Sequence, residues 1–540
     1  MSTPAPQAAL PDNIDGAVLK IAGVVVLGAI MSILDITVVN VALPTFQRVF
    51  ADGGEELPYS LVAWTVTAYT LALATVIPLT GWAADRFGTK RLYMTAIGLF
   101  TLGSVLCAAA TDINMLIAFR VLQGLGGGML MPLGMTIMTR AAGPHRMGRL
   151  MAILGVPMML GPILGPILGG LLIDNASWHW IFLINAPLGI AALIYAYRVL
   201  PKDAPVPSES FDFLGMLLLS PGLALFLFGI SSLPGEGGDF GAPRVWLSVL
   251  AGIVLMVLFV FHSFRPKHPL LDLRLFANRN LTVSVITMFM FGAAFFGGLL
   301  LVPTYFIQVR GETTLMAGLL IAPQGIGAML TMPIAGALVD KMPVGRIVPV
   351  GLLLIIAGMF PLTQIDAGTS YGLIIAALFV MGLGMGATMM PLFTSALKTL
   401  TNHEVARGST LLNISQQIAS SVGVAVMSVI LTNQLNSSPT VAGSKGLPGL
   451  PDGLRETYAA IGSWTADGAA LIQKLAVPQS VIDTGFVQAA SAFATTYWVA
   501  WVLVVLTIIP ALFLPRKHEE AHLLDEADLD DEGRPPVAMH

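Results

Sequence analysis

The sequence predicts an all-α polytopic membrane protein with fourteen transmembrane helices, arranged as two six-helix bundles and two inserted helices. Of its 540 residues, 55% are hydrophobic and only 11% are charged, whereas an average soluble domain has about 25% charged residues. Fourteen apolar segments are each long enough to cross a bilayer, for which about 20 residues are needed. This composition excludes a soluble enzyme that carries a single membrane anchor.

The fourteen segments are joined by mostly short connections. They centre on residues 30, 71, 102, 127, 161, 190, 222, 254, 294, 328, 356, 384, 420 and 503. Basic residues concentrate in every second connection, for example in Arg86–Arg91 and Arg140–Arg149. By the positive-inside rule these connections and both termini lie in the cytoplasm. We therefore predict a multi-pass membrane protein with both termini in the cytoplasm.

A motif that follows the second segment recurs in degenerate form after the tenth. Gly81–Arg91 reads GWAADRFGTKR, and Gly336–Arg346 reads GALVDKMPVGR. If each half holds six helices, segments 7 and 8 are inserted between two repeats, which is the plan of many secondary transporters. The predicted parts are an N-terminal six-helix bundle (1–203), two inserted helices (204–269), a C-terminal six-helix bundle (270–515) with a long extracytoplasmic loop at about 433–490, and an acidic cytoplasmic tail (516–540).

Two charged residues lie inside the segments of the first half. Asp35 lies past the middle of segment 1, and Arg120 lies in segment 4. A lone charge in the bilayer core costs about 3 kcal/mol or more, so each needs a partner, a proton or a water-filled cavity. We predict that Asp35 and Arg120 pair. An Arg120 side chain that reaches the membrane surface instead is the simpler alternative.

The repeated motif combines small and charged residues around a sharp turn. We predict that its residues form a latch that locks one face of the protein, because charges at a helix end can pair with a neighbouring helix. Charges that only set the membrane orientation are the alternative. The predicted latch residues are Gly81, Asp85, Arg86, Gly88, Arg91 and Asp340.

Segment 5 carries glycines at every fourth position, at 161, 165 and 169. Such a spacing forms a smooth ridge that lets two helices approach closely. Pro162 and Pro166 interrupt or soften the same helix. Packing alone explains the ridge; the functional interpretation is that Gly161, Pro162, Gly165, Pro166 and Gly169 form a gate or hinge.

Several uncharged polar residues are predicted to line a substrate cavity. They are Asn40, Gln123, Gln324, Asn413 and Gln417. No second acidic residue lies in the middle of segments 9–13. The sequence contains no phosphate-binding loop of the Gly-x4-Gly-Lys-Ser/Thr kind, no Cys/His metal spacing and a single cysteine, Cys107. We therefore expect no cofactor, no metal and no nucleic-acid partner.

Together these motifs resemble those of the major facilitator superfamily, and within it the fourteen-helix drug:proton antiporters of the QacA/EmrB type. The similarity involves Leu34–Pro44, Gly81–Arg91, Arg120–Gly128, Gly161–Gly170 and Trp178–Gly189. It implies the major facilitator fold and export of hydrophobic compounds across the bacterial inner or plasma membrane in exchange for protons. Members of the family that handle divalent cations tend to carry additional acids in segments 9–13, so their absence here argues against doubly charged cargo. Asp35 would be the acid that takes up the proton, Arg120 would modulate it, and Asp85 and Arg86 would belong to the latch.

The resulting hypothesis is a proton-coupled multidrug exporter for hydrophobic, neutral or monocationic compounds that works by alternating access. Its partners would be small substrates, protons and the lipid bilayer, and it is expected to be a monomer. Whether a periplasmic adaptor protein binds the long loop is left open. Export of an endogenous lipid, siderophore or metabolite is an alternative, as is a non-transporting membrane scaffold or sensor. An enzyme is disfavoured because the sequence shows no nucleophile–base set.

Overall fold

A computed structural model describes residues 16–51, 57, 59–142, 147–202, 210–233, 238–266, 268–437 and 479–517. Fourteen long helices cover most of these residues. They are α1 (Gly16–Val49), α2 (Trp64–Phe87), α3 (Thr89–Ala108), α4 (Ile113–Ala142), α5 (Met147–Asn175), α6 (Trp180–Leu183 and Asn185–Val199), α7 (Phe213–Ser232), α8 (Pro243–Ser263), α9 (Arg279–Gln308), α10 (Thr314–Val339), α11 (Val344–Met359), α12 (Tyr371–Gly386 and Met389–Lys398), α13 (Asn402–Ser437) and α14 (Gln479–Ala511).

Within the described residues, thirteen helices are long and apolar enough to cross a membrane. The remaining long helix, α5, has 29 residues, which at 1.5 Å per residue also exceeds the bilayer core. The prediction of an all-α membrane protein is therefore confirmed, and the helices lie where the fourteen segments were predicted. The predicted long loop and acidic tail lie largely outside the described residues.

Polar side chains start several helices where the chain leaves a connection. Asp212, Asn278, Thr313 and Ser370 each accept a hydrogen bond from a backbone N–H in the first turn of the helix that follows. Such N-caps satisfy amide groups that have no partner inside the helix. They define where α7, α9, α10 and α12 begin.

The helices pack in two groups. In the first group α4 packs against α2 and α3, and α1 packs against α5; in the second, α12 packs against α10 and α11, and α9 packs against α13 and α14. The inserted helices α7 and α8 pack mainly against each other. The two groups meet where α5 contacts α10 and where α2 and α4 contact α13.

The two groups contact each other at one end of the bundle, which we call the basic end because Arg86, Arg91, Arg140 and Arg149 lie there. There the hydroxyl groups of Thr136 in α4 and Ser409 in α13 are 2.9 Å apart. The backbones of Gly148 in α5 and Gly336 in α10 meet so closely that a Cβ atom on either would collide with the other. The basic end is thus closed in this conformation.

Candidate functional site

Asp35 of α1 is buried and its carboxylate is surrounded by donors from two other helices. Oδ2 accepts a hydrogen bond from Nη1 of Arg120 in α4 at 2.5 Å. Oδ1 accepts hydrogen bonds from Nε2 of Gln123 at 2.7 Å and from Nδ2 of Asn185 in α6 at 3.2 Å. Gln123 lies one helical turn after Arg120, so both side chains project from the same face of α4. The structure therefore places Asp35 and Arg120 in direct contact.

Arg120 is fully buried and its guanidinium is held on several sides. Its Nε donates to the carbonyl of Thr65 at 3.0 Å, and its Nη1 also contacts Oε1 of Gln123 at 2.7 Å. The ring of Tyr69 lies 4.1 Å from the guanidinium carbon, as expected for a cation–π contact. Arg120 does not extend to the membrane surface, so the simpler alternative is not the one seen here.

Asn185 was not among the predicted site residues, although it lies within the Trp178–Gly189 motif. Its side chain bridges two partners, because the same amide nitrogen that contacts Asp35 also lies 3.0 Å from Oγ of Ser104 in α3. Ser104 in turn donates to the carbonyl of Phe182 at 2.9 Å. Helix α6 is interrupted between Leu183 and Asn185, and this break lies beside the carboxylate. The polar type of Asn185 inside an apolar segment is the sequence signal that could have identified it.

The packing around Asp35 differs from the water-filled setting that an intramembrane acid suggests. The side chain of Asp35 is 0% exposed and that of Arg120 is 1% exposed. All three partners of the carboxylate are N–H donors, which suits an ionised, acceptor-only group. A proton on the carboxylate would remove the negative charge that pairs with Arg120. Because an unpaired charge is costly in a buried site, protonation of Asp35 favours movement of Arg120 and its neighbours.

The predicted latch residues of the first half lie at the basic end. Gly81 packs against α13, where a Cβ atom would meet Thr410 and the carbonyl of Ala406 at 3.3–3.4 Å. Buried Asp85 pairs with Arg140 of α4 at 3.4 Å. Gly88 has a φ of 91° and forms the sharp turn between α2 and α3, which suits a residue without a Cβ atom. Arg86 and Arg91 are exposed at this end.

Asp340, from the second copy of the motif, contacts the first half. Its Oδ1 accepts a hydrogen bond from the backbone N–H of Gly148 at 2.9 Å, and its Oδ2 lies 3.7 Å from Nε of Arg149. Burial raises the pKa of the Asp340 carboxyl above its ordinary value, although the donors from Gly148 and Arg149 act in the opposite sense. This carboxylate therefore spans the interface between α10 and the start of α5.

The glycine ridge of α5 packs against α1 on both sides of Asp35 in the sequence. A Cβ atom at Gly161 would collide with Ile33, and one at Gly165 would collide with Thr37. Gly169 is also buried. The side chains of Pro162 and Pro166 lie outside what the structure describes. The ridge thus fixes the distance between α5 and the helix that carries the acid.

The five polar residues predicted to line one cavity have different surroundings. Gln123 belongs to the Asp35 cluster, and Asn40 is exposed on α1. Asn413 donates to the carbonyl of Ser409 at 2.7 Å and contacts Met135 of α4. Gln417 is partly buried in α13. Gln324 in α10 is buried, and among the described residues neither of its side-chain polar atoms has a hydrogen-bond partner.

A bundle of fourteen long apolar helices in two groups, with an ion pair buried inside one of them, defines a membrane transporter. The chain belongs to the major facilitator superfamily, whose family model matches residues 25–424. It is 46% identical to the "Multidrug resistance protein B homolog" of Mycobacterium tuberculosis strain H37Rv over 525 residues, which cover 96% of this chain and 94% of that protein. The predicted family is confirmed.

Two more distant relatives also have names that refer to multidrug resistance or export. The chain is 32% identical to the "Putative multidrug resistance protein MdtD" of Escherichia coli O1:K1, with 76% and 85% of the two chains covered. It is 29% identical to the "Multidrug export protein EmrB" of Escherichia coli K12, with 78% and 82% covered. A solved structure of the proton:xylose symporter XylE matches with a TM-score of 0.58 at 15% identity, and the match covers 95% of this chain and 99% of that one. This similarity supports the fold.

Proposed function

We propose that the protein is a proton-coupled multidrug efflux transporter that exports hydrophobic, neutral or monocationic compounds by alternating access. The observation that carries the proposal is the buried carboxylate of Asp35, held by Arg120, Gln123 and Asn185. Because a proton on this carboxylate would leave buried Arg120 without its charged partner, protonation drives a rearrangement of α1, α4 and α6 in this proposal. The relatives with multidrug-resistance names support the same function.

The basic end is the cytoplasmic end in this proposal, as the positive-inside rule indicates. The structure then represents a state closed to the cytoplasm, with the latch residues in contact. A compound binds from the cytoplasm or the inner leaflet while Asp35 is ionised and the two groups of helices are apart at the basic end. A proton that arrives from the other side neutralises Asp35, changes its contacts with α4 and α6, and favours release of the compound outside.

The charge of the cargo follows from the buried acids. Among the described residues of α9–α13, the buried polar side chains away from the helix ends are uncharged, as in Gln324 and Asn413. One intramembrane carboxylate can balance one positive charge. We therefore propose neutral or monocationic cargo and a low proton stoichiometry. A monomeric transporter is a separate expectation.

Uphill transport in inverted membrane vesicles tests this proposal. With an acidic lumen, wild-type vesicles are expected to accumulate tetraphenylphosphonium, a hydrophobic monocation. Asp35→Asn is expected to abolish accumulation, whereas Asp112→Asn, at an exposed carboxylate that caps α4, is expected to retain it. Wild-type accumulation by Asp35→Asn would contradict proton coupling at Asp35, and a wild-type protein without uphill transport would favour a scaffold or sensor. Size-exclusion profiles check that the variants are folded.

A further inference from the structure

The inserted helices lie along the line where α2 and α13 meet. Helix α7 and Phe211, two residues before its start, contact α2 at three levels. Near the basic end the ring of Phe211 lies 4.4 Å from that of Trp82, and in the middle Oγ of Ser220 donates to the carbonyl of Thr75 at 2.8 Å. Towards the opposite end the ring of Phe228 lies 5.5 Å from that of Trp64. Helix α7 therefore follows α2 along most of its length.

The same pair of helices also reaches the second half. Gly238, in the turn after α7, packs against Val429 and Asn433 of α13, and α7 itself packs against α13. Since Gly81 of α2 adjoins Thr410 of α13 at the basic end, the seam between α2 and α13 lies beneath α7. The inserted helices therefore span this boundary between the two halves.

Helices α7 and α8 form a cover two helices deep over this seam, and Asp212 connects them at the basic end. Helix α8 packs on α7 and turns an apolar face outward, with Leu250, Val254 and Phe261 exposed. The carboxylate of Asp212 accepts hydrogen bonds from the backbone N–H groups of Gly215 and Leu270, and it lies 2.7 Å from Nε2 of His262. One buried side chain thus joins the start of α7, the end of α8 and the segment that leads to α9.

The second seam between the halves, formed by α5 and α10, is built differently. The main partners of α5 are α1 and α10, and those of α10 are α5 and α12. Helix α10 presents exposed aliphatic side chains at Leu319, Ile326, Leu330, Ile334 and Leu338. Within the seam, Gly155 of α5 lies against Met332 and Met390, and methionine side chains are flexible enough to change their packing.

We propose that the inserted helices close the seam between α2 and α13 to the bilayer, so that hydrophobic cargo passes from the lipid to the interior only between α5 and α10. This inference rests on the proposed export function. The route opens when the basic ends separate, and Met332 and Met390 are the side chains that move aside. The inserted pair thereby makes lateral access one-sided in a fold whose two halves otherwise offer two seams.

Photocrosslinking in inverted vesicles tests the route. The probe is a phosphonium cation that carries three aryl groups and a diazirine, and its adducts are mapped by peptide mass spectrometry. In the wild-type protein we expect adducts on α5 and α10, several-fold more than on α2 and α13, that decrease when excess tetraphenylphosphonium competes. Adducts of equal yield on the two seams, or on neither, would overturn the inference.

A wedge variant gives the second arm. Ser220→Trp inserts a large ring between α7 and α2 and is expected to create new adducts on α2 and α13. Leu217→Trp adds the same ring at an exposed position of α7 (59% exposed) and is expected to leave the wild-type pattern unchanged. If Ser220→Trp folds and gives no new adducts, α7 is not the cover; if it fails to fold, the wild-type map alone decides. If the wild-type protein shows no uphill transport, that result would count against the proposed function and not against the route.

Discussion

The side chain of Asn185 donates a hydrogen bond to the carboxylate of Asp35, 150 positions away in the sequence, at 3.2 Å. This contact makes α6 part of the site formed by α1 and α4. Asn185 also contacts Ser104 of α3, so α3 is linked through Asn185 to the carboxylate at which α1, α4 and α6 meet. A change in the charge of Asp35 therefore acts on all of them at once.

Removal of the Asn185 donor should slow proton-coupled transport. A hydrogen bond to a charged group contributes about 1.5–3 kcal/mol, and about 1.4 kcal/mol corresponds to a factor of ten in rate. Because Asn185 helps to hold the carboxylate of Asp35 in place, we expect Asn185→Ala to lower the profile of efflux rate against pH by about tenfold. Asn175→Ala, an exposed residue whose amide contacts only its own helix, is the control. An unchanged profile in Asn185→Ala would show that the contact is not used.

The glycine ridge can be tested by a paired substitution. Gly161→Ala places a methyl group against Cγ2 of Ile33, and overpacking of this kind costs about 1–3 kcal/mol. We expect lower thermal stability and slower efflux in Gly161→Ala. Ile33→Ala removes the colliding atom, so the double variant should recover both properties. Gly170→Ala has open space around it and serves as the control; equal defects in both single glycine variants would exclude the packing explanation.

Asp340 should give the fold a specific pH dependence. Since its pKa is raised by burial, the folded protein holds a proton on this carboxyl more tightly than the unfolded chain does. Its contribution to stability is therefore fully present below the ordinary pKa of 3.8 and is lost as the pH rises through the raised value. We expect Asp340→Asn to remove this component from the melting temperature measured between pH 3.5 and 7.

Asp366 provides the control for Asp340. Asp366→Asn changes an exposed carboxyl whose pKa is lowered, first of all by a hydrogen bond from Thr369, and should alter the melting curve in the opposite sense. If Asp340→Asn lowers the melting temperature most at neutral pH and least at acidic pH, the ionised carboxylate is net stabilising and burial does not dominate its energetics.

Cys107, the single cysteine of the chain, can report on the packing around Asp35. Its thiol is fully buried and lies 3.5 Å from Oε1 of Gln123. Loss of one partner from a buried ion pair costs about 3–5 kcal/mol, so Asp35→Asn should loosen α3 and α4 around Arg120. We expect maleimide to label Cys107 several-fold faster in Asp35→Asn than in the wild-type protein at the same pH. Equal labelling rates would mean that the pair does not hold this region together.

The sequence predicted the helices of the fold better than the contacts between them. Apolar length and the alternation of basic loops give the helices, and the expense of lone charges in a membrane points to Asp35 and Arg120 as partners. Asn185 could not be placed in the same way, because its contacts cross between helices whose order around the bundle is set by packing. For the same reason, the sequence does not show that α7 lies over the seam between α2 and α13.

The predicted cavity residues illustrate the limit most clearly. Gln324, Asn413 and Gln417 have the polar type that a cavity needs, but a residue type does not tell which way a helix face turns. In the structure Asn413 bonds to its own helix and contacts Met135, while Gln324 is buried in α10. Their role in binding cargo stays a prediction.

Proton release on substrate binding tests the central claim most directly. In weakly buffered detergent solution, at a pH where part of the protein is protonated, we expect tetraphenylphosphonium to displace protons from the wild-type protein and from Asp112→Asn. Asp35→Asn should bind the cation without releasing protons. Wild-type proton release by Asp35→Asn would show that another group carries the coupling and would contradict the mechanism proposed for this site.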